Sequence, residues 1–466
     1  MKNTDTHVTR RRFLTSSVAA GIGAGVHSSA VATSRTSRIL GANDRIRVGM
    51  VGVGNRGSQL LNLFLQNSDV QVAALSDVYK PYLYRDRSLV DHNLLAFLGG
   101  RIPQMDEQLD KGVGRYEDFR RLLERKDIDA VVIATPDHWH AIQAIMACDS
   151  GKDVYVEKPL TATILEGRRM VEAARRNGSV VQVGLQRRSS QVYKKACDEV
   201  AQGKLGKITV ARTYHVSNMA PSGIGRMPTR QAPPELDWDA WLGPRAWRPY
   251  QENIHPYRFR WWQEYSSQVG NWGVHYFDAV RWILKEDSPV SISAHGGRFV
   301  VDDDRTIPDT MEVVFEFASG VILTFGQYES SGGSALPEGE IELRGTLGNL
   351  YCRPPYESST GYQIVPSRGG QFQDPKLRRE PVDVKMETEY PTEHHVRNFL
   401  DCVKSREQCV CPLEEGHRST SFAHLANIAL ETNSRIHWDP DTEKITNNEK
   451  ANQLLHYEYR KPWQLS

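Results

Sequence analysis

The chain has 466 residues, 39% hydrophobic and 25% charged, with a formal net charge of +1. That is apolar material enough for two globular domains, and the even charge lacks the basic surplus that would point to nucleic acid or an acidic membrane. Six cysteines (Cys148, Cys197, Cys352, Cys402, Cys409 and Cys411) are too few to frame a fold of this size with disulfides. Cys409-Val410-Cys411 has a metal-like spacing, but no second cluster supplies further ligands, so no metal is expected.

Residues 1–32 have the parts of an export leader. Thr9-Arg10-Arg11-Arg12-Phe13-Leu14 is a twin-arginine pattern, an apolar stretch follows around Val18 to Val26, and Ala30-Val31-Ala32 has the form of a cleavage site. Gly21, Gly23, Gly25 and His27 interrupt the apolar run, which falls short of the ~20 residues a spanning helix needs. The expectation is passage through the twin-arginine export machinery to the periplasm or the medium, with 33–45 as a polar linker.

From 46 to 183 short apolar runs alternate with helical segments. Ile46–Val51, Val70–Leu75, Ala130–Ala134, Asp153–Glu157 and Val180–Val183 suit strands buried on both faces of a parallel sheet. Gly57–Gln66, Tyr116–Arg125, Ala141–Ser150 and Ile164–Asn177 carry apolar residues at helical spacing, and Leu83 to Gly112 reads as a helix and a long loop. The alternation predicts a doubly wound α/β (Rossmann) domain over 46–183. Within 184–466 the period shifts to two: Val313, Phe315 and Phe317 share a face, and Ser319-Gly320 turns into Val321–Phe325. Ile208–Val216, Val290–Phe299 and Ile341–Leu343 are further strands, and Glu393–Ser405 and Ser419–Asn433 are helices. An α+β domain with a largely antiparallel, open-faced sheet is expected there. Pro221 to Pro256 reads as a long ordered loop.

The first strand runs into Gly52-Val53-Gly54-Asn55-Arg56-Gly57, a G-x-G-x-x-G pattern at the start of a helix. Gly52 allows the tight turn, Gly54 the approach of a pyrophosphate, and Gly57 close packing of helix on strand. Asp77, at the end of the second strand, can accept from a ribose diol and would repel a 2′-phosphate, so NAD is favoured over NADP. Asn55 and Arg56 belong to the same loop. Thr135, Pro136, His138 and His140 close one later strand and Glu157, Lys158 and Pro159 the next, at the carboxyl edge where ligands of open α/β sheets bind. His138 and His140 are expected to cap a helix or touch the cofactor. A partly desolvated Lys158 could exchange a proton with a hydroxyl.

With these residues goes Gly273-Val274-His275-Tyr276-Phe277-Asp278 with Trp282. Together they make the chain resemble the Gfo/Idh/MocA family of oxidoreductases, over essentially everything after the leader. The resemblance implies that Lys158, Asn271 and His275 surround the reacting carbon beside the nicotinamide. Asn271 stands where the family has an aspartate; an amide can orient a hydroxyl but cannot take its proton, which moves the acid–base duty onto His275, helped by Lys158. Gln186 is then expected at the cofactor, and Arg187 and Trp272 at the substrate with His275. Asp278 and Trp282 read as structural. The tryptophans from Trp238 to Trp272, including Trp241, Trp247, Trp261 and Trp262, suit either a sugar platform or packing.

The expected activity is hydride transfer between a tightly held NAD and a hydroxyl carbon of a sugar, cyclitol or glycoside, outside the cytoplasm and in a homo-oligomer. Two rivals stand beside it. One is a lyase or hydrolase that uses NAD transiently through a keto-sugar; the other is a sugar-binding protein that keeps NAD without turnover.

Overall fold

The computed structural model describes residues 44–333, 335–336, 339–367 and 380–465. The leader at 1–32 and the linker as far as residue 43 lie outside them.

Six strands form the first sheet: β1 (Ile46–Val51), β2 (Val70–Ser76), β3 (Gly114–Tyr116), β4 (Ala130–Ile133), β5 (Asp153–Val156) and β6 (Val181–Val183). All pairs are parallel, in the order β3-β2-β1-β4-β5-β6. Every residue of β4 and β5 is buried, as continuous apolar runs in a doubly covered sheet require. The order reverses between β1 and β4, and a crevice opens there at the carboxyl ends of the strands. Local chemistry sets the helix ends. Thr163 and Glu166 form a capping box on Ile164–Asn177, and Gly178, at φ 59°, ends that helix in the left-handed region. The helix expected over Tyr116–Arg125 is only Phe119–Leu123, because the Asp118 side chain accepts from Arg120 N and starts it there. Residues before it belong to the edge strand β3.

The second sheet holds β7 (Ile208–Val216), β8 (Pro289–Gly297), β9 (Thr310–Phe317), β10 (Ile322–Tyr328), β11 (Ile341–Gly345), β12 (Gly348–Cys352), β13 (Gly361–Pro366), β14 (Val382–Lys385), β15 (Ile436–Asp439) and β16 (Lys444–Ile445). Their order is β14-β13-β12-β11-β7-β10-β9-β8-β15-β16. Only β7 with β10 is parallel among these pairs. The β9–β10 hairpin turns at Ser319-Gly320, where Gly320 takes φ 86°. Phe277, Phe315, Phe325 and Phe422 interlock between the helices Val274–Leu284 and Leu413–Glu431 and one face of this sheet. On alternate positions Val314 and Ile322 remain exposed.

The two parts share their packing. Val396, Phe399 and Leu400 of the helix Pro391–Ser405 join the core under β1 and β2. His395 Nε2 lies 2.8 Å from Val183 O, and Gln182 Nε2 donates back to His395 O at 2.9 Å. The Pro- and Trp-rich stretch also docks on the first sheet: Lys80 N donates to Glu235 O and Asp237 N to Val78 O. Trp238, Trp241 and Trp262 are buried in that same core, whereas Trp247 is 63% exposed. Packing therefore accounts for Trp238, Trp241 and Trp262, while Trp241 and Trp272 also line a cavity described below.

A buried ionic group joins this stretch to the second sheet through Ile224 N, which donates to Asp303 at 2.8 Å. Arg305 reaches Asp303 at 2.9 Å and Glu329 at 2.7 Å, with all three side chains out of solvent. Burial pushes Glu329 up to about 7 even with the arginine beside it. Replacing Arg305 with Met strands two carboxyl groups and is expected to cost about 3–5 kcal/mol in urea denaturation. The cost should be smaller at pH 5 than at pH 8, because a protonated Glu329 needs no cation.

Candidate active site

A cavity of about 530 Å³ lies between the crevice of the first sheet and the start of the helix Val274–Leu284. One wall is the loop after β1. Gly52 has φ 80°, a backbone that only glycine adopts without strain, and its N–H donates to Ser76 O at 2.8 Å. A Cβ on Gly57 would sit 2.0 Å from Gly52 O, so the helix Asn55–Leu65 approaches the strand as closely as glycine permits. No side chain caps that helix, and its first-turn amides carry the positive end of its dipole toward an anion.

Asp77 lines the cavity at the end of β2. Its carboxylate accepts from Val53 N at 2.9 Å and Tyr79 N at 3.0 Å, which aims it across the glycine loop. Burial raises its pKa to about 6 against those hydrogen bonds. Asn55 and Arg56 line the same wall. Arg56 Nε holds Glu157 at 2.8 Å; burial opposes the charge on Glu157, yet Arg56 and Lys158 keep its pKa below the ordinary value.

At the far end Lys158 follows β5 and spans to the second domain. Its Nζ donates to Asn271 O at 2.9 Å and to Asn271 Oδ1 at 2.8 Å. Asn271 sits in a π-helical turn, Val269–Gly273, that runs straight into the helix carrying His275. A short π segment of this kind often marks a functional site. The amide is itself oriented: Asn271 Nδ2 donates to Gln268 Oε1 at 3.1 Å, and Gln268 Nε2 to Glu329 Oε1 at 2.9 Å. While Glu329 is ionised it can only accept, and each amide then presents its oxygen toward the lysine. Burial lowers Lys158 to about 8. Burial, with Lys158, Arg187 and Arg56 nearby, lowers His275 well below its ordinary value, so the imidazole is neutral.

Thr135, Pro136, Gln186, Arg187 and Trp272 also line the cavity. Gln186 Oε1 and His275 Nδ1 are buried there without a hydrogen-bond partner in the protein, as groups awaiting a ligand would be. Trp272 stacks on His215 at 4.7 Å between centroids. Arg187 is held by Glu340 at 2.7 Å and lies over the Tyr276 ring, so its charge is already paired.

His138 and His140 stand apart from this assembly. Neither lines the cavity. His138 Nε2 is 3.0 Å from Trp241 O, and His140 is wedged between Pro159 O at 2.9 Å and Thr135 O at 2.8 Å. Both point into the protein and brace the loops after β4 and β5; the cofactor contact expected of them is corrected to a structural one. The cavity also includes side chains that local pattern did not mark. Asp137, Arg260, Phe119, Arg120 and Trp463 reach it from separate parts of the chain.

Fold and site together define a dinucleotide-binding protein with a buried lysine at the domain boundary. The chain belongs to the Gfo/Idh/MocA oxidoreductase family: residues 46–185 match its NAD-binding Rossmann fold, and 189–339 with 364–465 its C-terminal alpha/beta domain. Solved structures of similar fold include the WlbA dehydrogenase of Bordetella pertussis in complex with NADH and UDP-GlcNAcA (TM-score 0.57, 18% identity, 85% of this chain and 99% of that one). A levoglucosan dehydrogenase in complex with NADH superposes with TM-score 0.60 at 15% identity, over 84% of this chain and 99% of that one. Among curated sequences, a "Glycosyl hydrolase family 109 protein" of Shewanella pealeana is 34% identical over 133 residues, 28% of this chain and 27% of that protein. A protein of the same name from Saccharopolyspora erythraea is 33% identical over 177 residues, 35% of this chain and 36% of its own length. The chain thus matches only about a quarter to a third of the length of these relatives.

The cavity fits NAD by its glycine turn, its uncapped helix start, the Asp77 acceptor and the unpartnered Gln186 Oε1 and His275 Nδ1. Asp77 accepts from a diol fully only when ionised, and burial favours the neutral acid. NADH affinity is therefore expected to be constant above about pH 7 and to weaken about 10-fold as pH falls through about 6. Fluorescence titration from pH 5 to 8 reads this, and Asp77→Asn should bind weakly at every pH.

Proposed function

We propose that the chain is an NAD-dependent oxidoreductase acting on a hydroxyl carbon of a sugar, cyclitol or glycoside. The observation that carries this reading is Lys158, tied to Asn271 by two hydrogen bonds within a cavity that also holds the glycine turn, Asp77 and His275. NAD, when bound, supplies the hydride acceptor. The protein's part is to fix the hydroxyl and take its proton. Two of the three Lys158 hydrogens are directed at Asn271, and the remaining position is the one free to exchange a proton. With a pKa near 8 the amine is poised for that exchange close to neutral pH. His275, neutral and with an unpartnered Nδ1, is suited to orient the hydroxyl. Proton transfer thus falls chiefly on Lys158, and His275 becomes the orienting group rather than the main base. Trp272 and Arg187 flank the substrate end.

Asn271 has a physical role in this scheme. A carboxylate there would stabilise the ammonium and raise the pKa of Lys158, whereas an amide orients the lysine without charging its surroundings.

We further propose that the leader sends the protein through the twin-arginine route, that it works as a homo-oligomer, and that its cofactor is recycled within each catalytic cycle. A cofactor outside the cell has no pool to renew it, so hydride would return to a second carbonyl or to the same one. Asn271 and the relatives named for glycoside hydrolysis favour a second reading: transient oxidation to a keto-sugar, elimination of the aglycone, addition of water across the double bond so formed, then reduction of the ketone. Incubating NAD-loaded protein with a panel of sugars and glycosides separates the two. Reduced nicotinamide absorbance or a second reduced sugar supports the first; free aglycone with no lasting absorbance change supports the second. No change with any compound favours a binding protein.

With a responsive substrate in hand, the rate of oxidation should rise with pH through about 8 as Lys158 loses its proton. Lys158→Met is expected to lower kcat at least 100-fold while NADH still binds. Asn271→Asp should displace the pH profile upward by about a unit or more.

A further inference from the structure

We infer that Trp463 closes the adenine end of the dinucleotide cleft and slows release of the cofactor. The inference rests on the NAD reading and extends it to retention. The glycine turn marks the pyrophosphate, Lys158 and His275 mark the nicotinamide end, and Asp77 marks the adenosine ribose. β3 lies outside β2 in the sheet, so the part of the cavity beyond Asp77, lined by residues that come after β3, is where the adenine must lie.

That part is walled by aromatic and cationic side chains from distant segments. The Trp463 ring lies 6.3 Å from Phe119, stacked at 25°, and 4.7 Å from Trp139, edge-on at 83°. The Arg120 guanidinium sits 5.3 Å over the indole. All four line the cavity. Such a group offers flat faces to a planar base and is indifferent to the rest of the ligand.

The segment that presents Trp463 is pinned on both domains. Arg460 N donates to Pro244 O at 2.8 Å, its Nε to Gly243 O at 3.1 Å, and its Nη2 to Asp239 O at 2.9 Å. Tyr459 donates to the buried Glu166 at 2.5 Å. Trp463 N then folds back onto Arg460 O at 3.1 Å, which turns the indole toward Phe119. Behind the indole lies a second, smaller space of about 260 Å³, bordered by Ile142, Ile145 and Met146. The ring therefore stands as a partition between two spaces, with room to yield when a dinucleotide enters or leaves.

The test is the release rate of NADH from the full chain, read by its fluorescence after a chase with excess NAD. Trp463→Ala should release NADH about 10-fold faster than wild type, the lower range of what one base–aromatic stack contributes. Trp463→Phe, which keeps a ring, should fall between the two and guards against a folding artefact. ADP-ribose should bind the Ala variant correspondingly more weakly, with nicotinamide mononucleotide unaffected. Equal release rates in wild type and Trp463→Ala, or an equal loss of affinity for both half-ligands, would overturn the inference while leaving NAD binding intact. A wild-type protein that binds no NADH would overturn both.

Discussion

The site depends on one tie across two domains, the pair of hydrogen bonds from Lys158 to Asn271. Lys158 is delivered by the carboxyl end of β5 and Asn271 by a turn in the second domain, so neither part forms the site alone. The tie constrains position and charge together. It directs two lysine hydrogens and, being made by an amide, does so without an opposing charge. Burial is then left to lower the lysine's pKa.

Behind the tie runs an ordered series of polar groups, Asn271 to Gln268 to Glu329, ending at the buried Arg305–Asp303 pair. Amides have two ends that look alike in shape and differ in chemistry. The terminal Glu329, while ionised, removes the choice for every member of the series. Arg305 keeps Glu329 more acidic than burial alone would allow, and so bears on the orientation of a lysine it never touches. Trp261 and Gln268, on the ordered loop side, donate to the same carboxylate. The loop that buries so many aromatic rings therefore also steadies the reactive end of the cavity.

Much of this was legible in the chain. β1 and the helix Ile164–Asn177 have the bounds their patterns predict, because a buried strand and a capped amphipathic helix are local solutions. The glycine turn was legible for the same reason: its spacing encodes a backbone shape. β3 was missed because three residues with mixed burial carry no period. His138 and His140 misled because a histidine beside a ligand and one bonded to buried carbonyls look identical in sequence. Trp463, Gln268 and Glu329 were invisible for a different reason. Their roles arise from contacts between segments far apart in the chain, and nothing near them in sequence records the partner.

The π turn at Val269–Gly273 has one more consequence. Each residue added to or taken from a helix rotates the remainder of that helix by about 100°. Asn271 and His275 lie on either side of the change from π to α winding, so their common facing is a matter of phase. A residue added or removed between Asn271 and His275 would therefore turn the histidine away from the lysine. The spacing of these two residues thus shapes the site as much as their chemistry does.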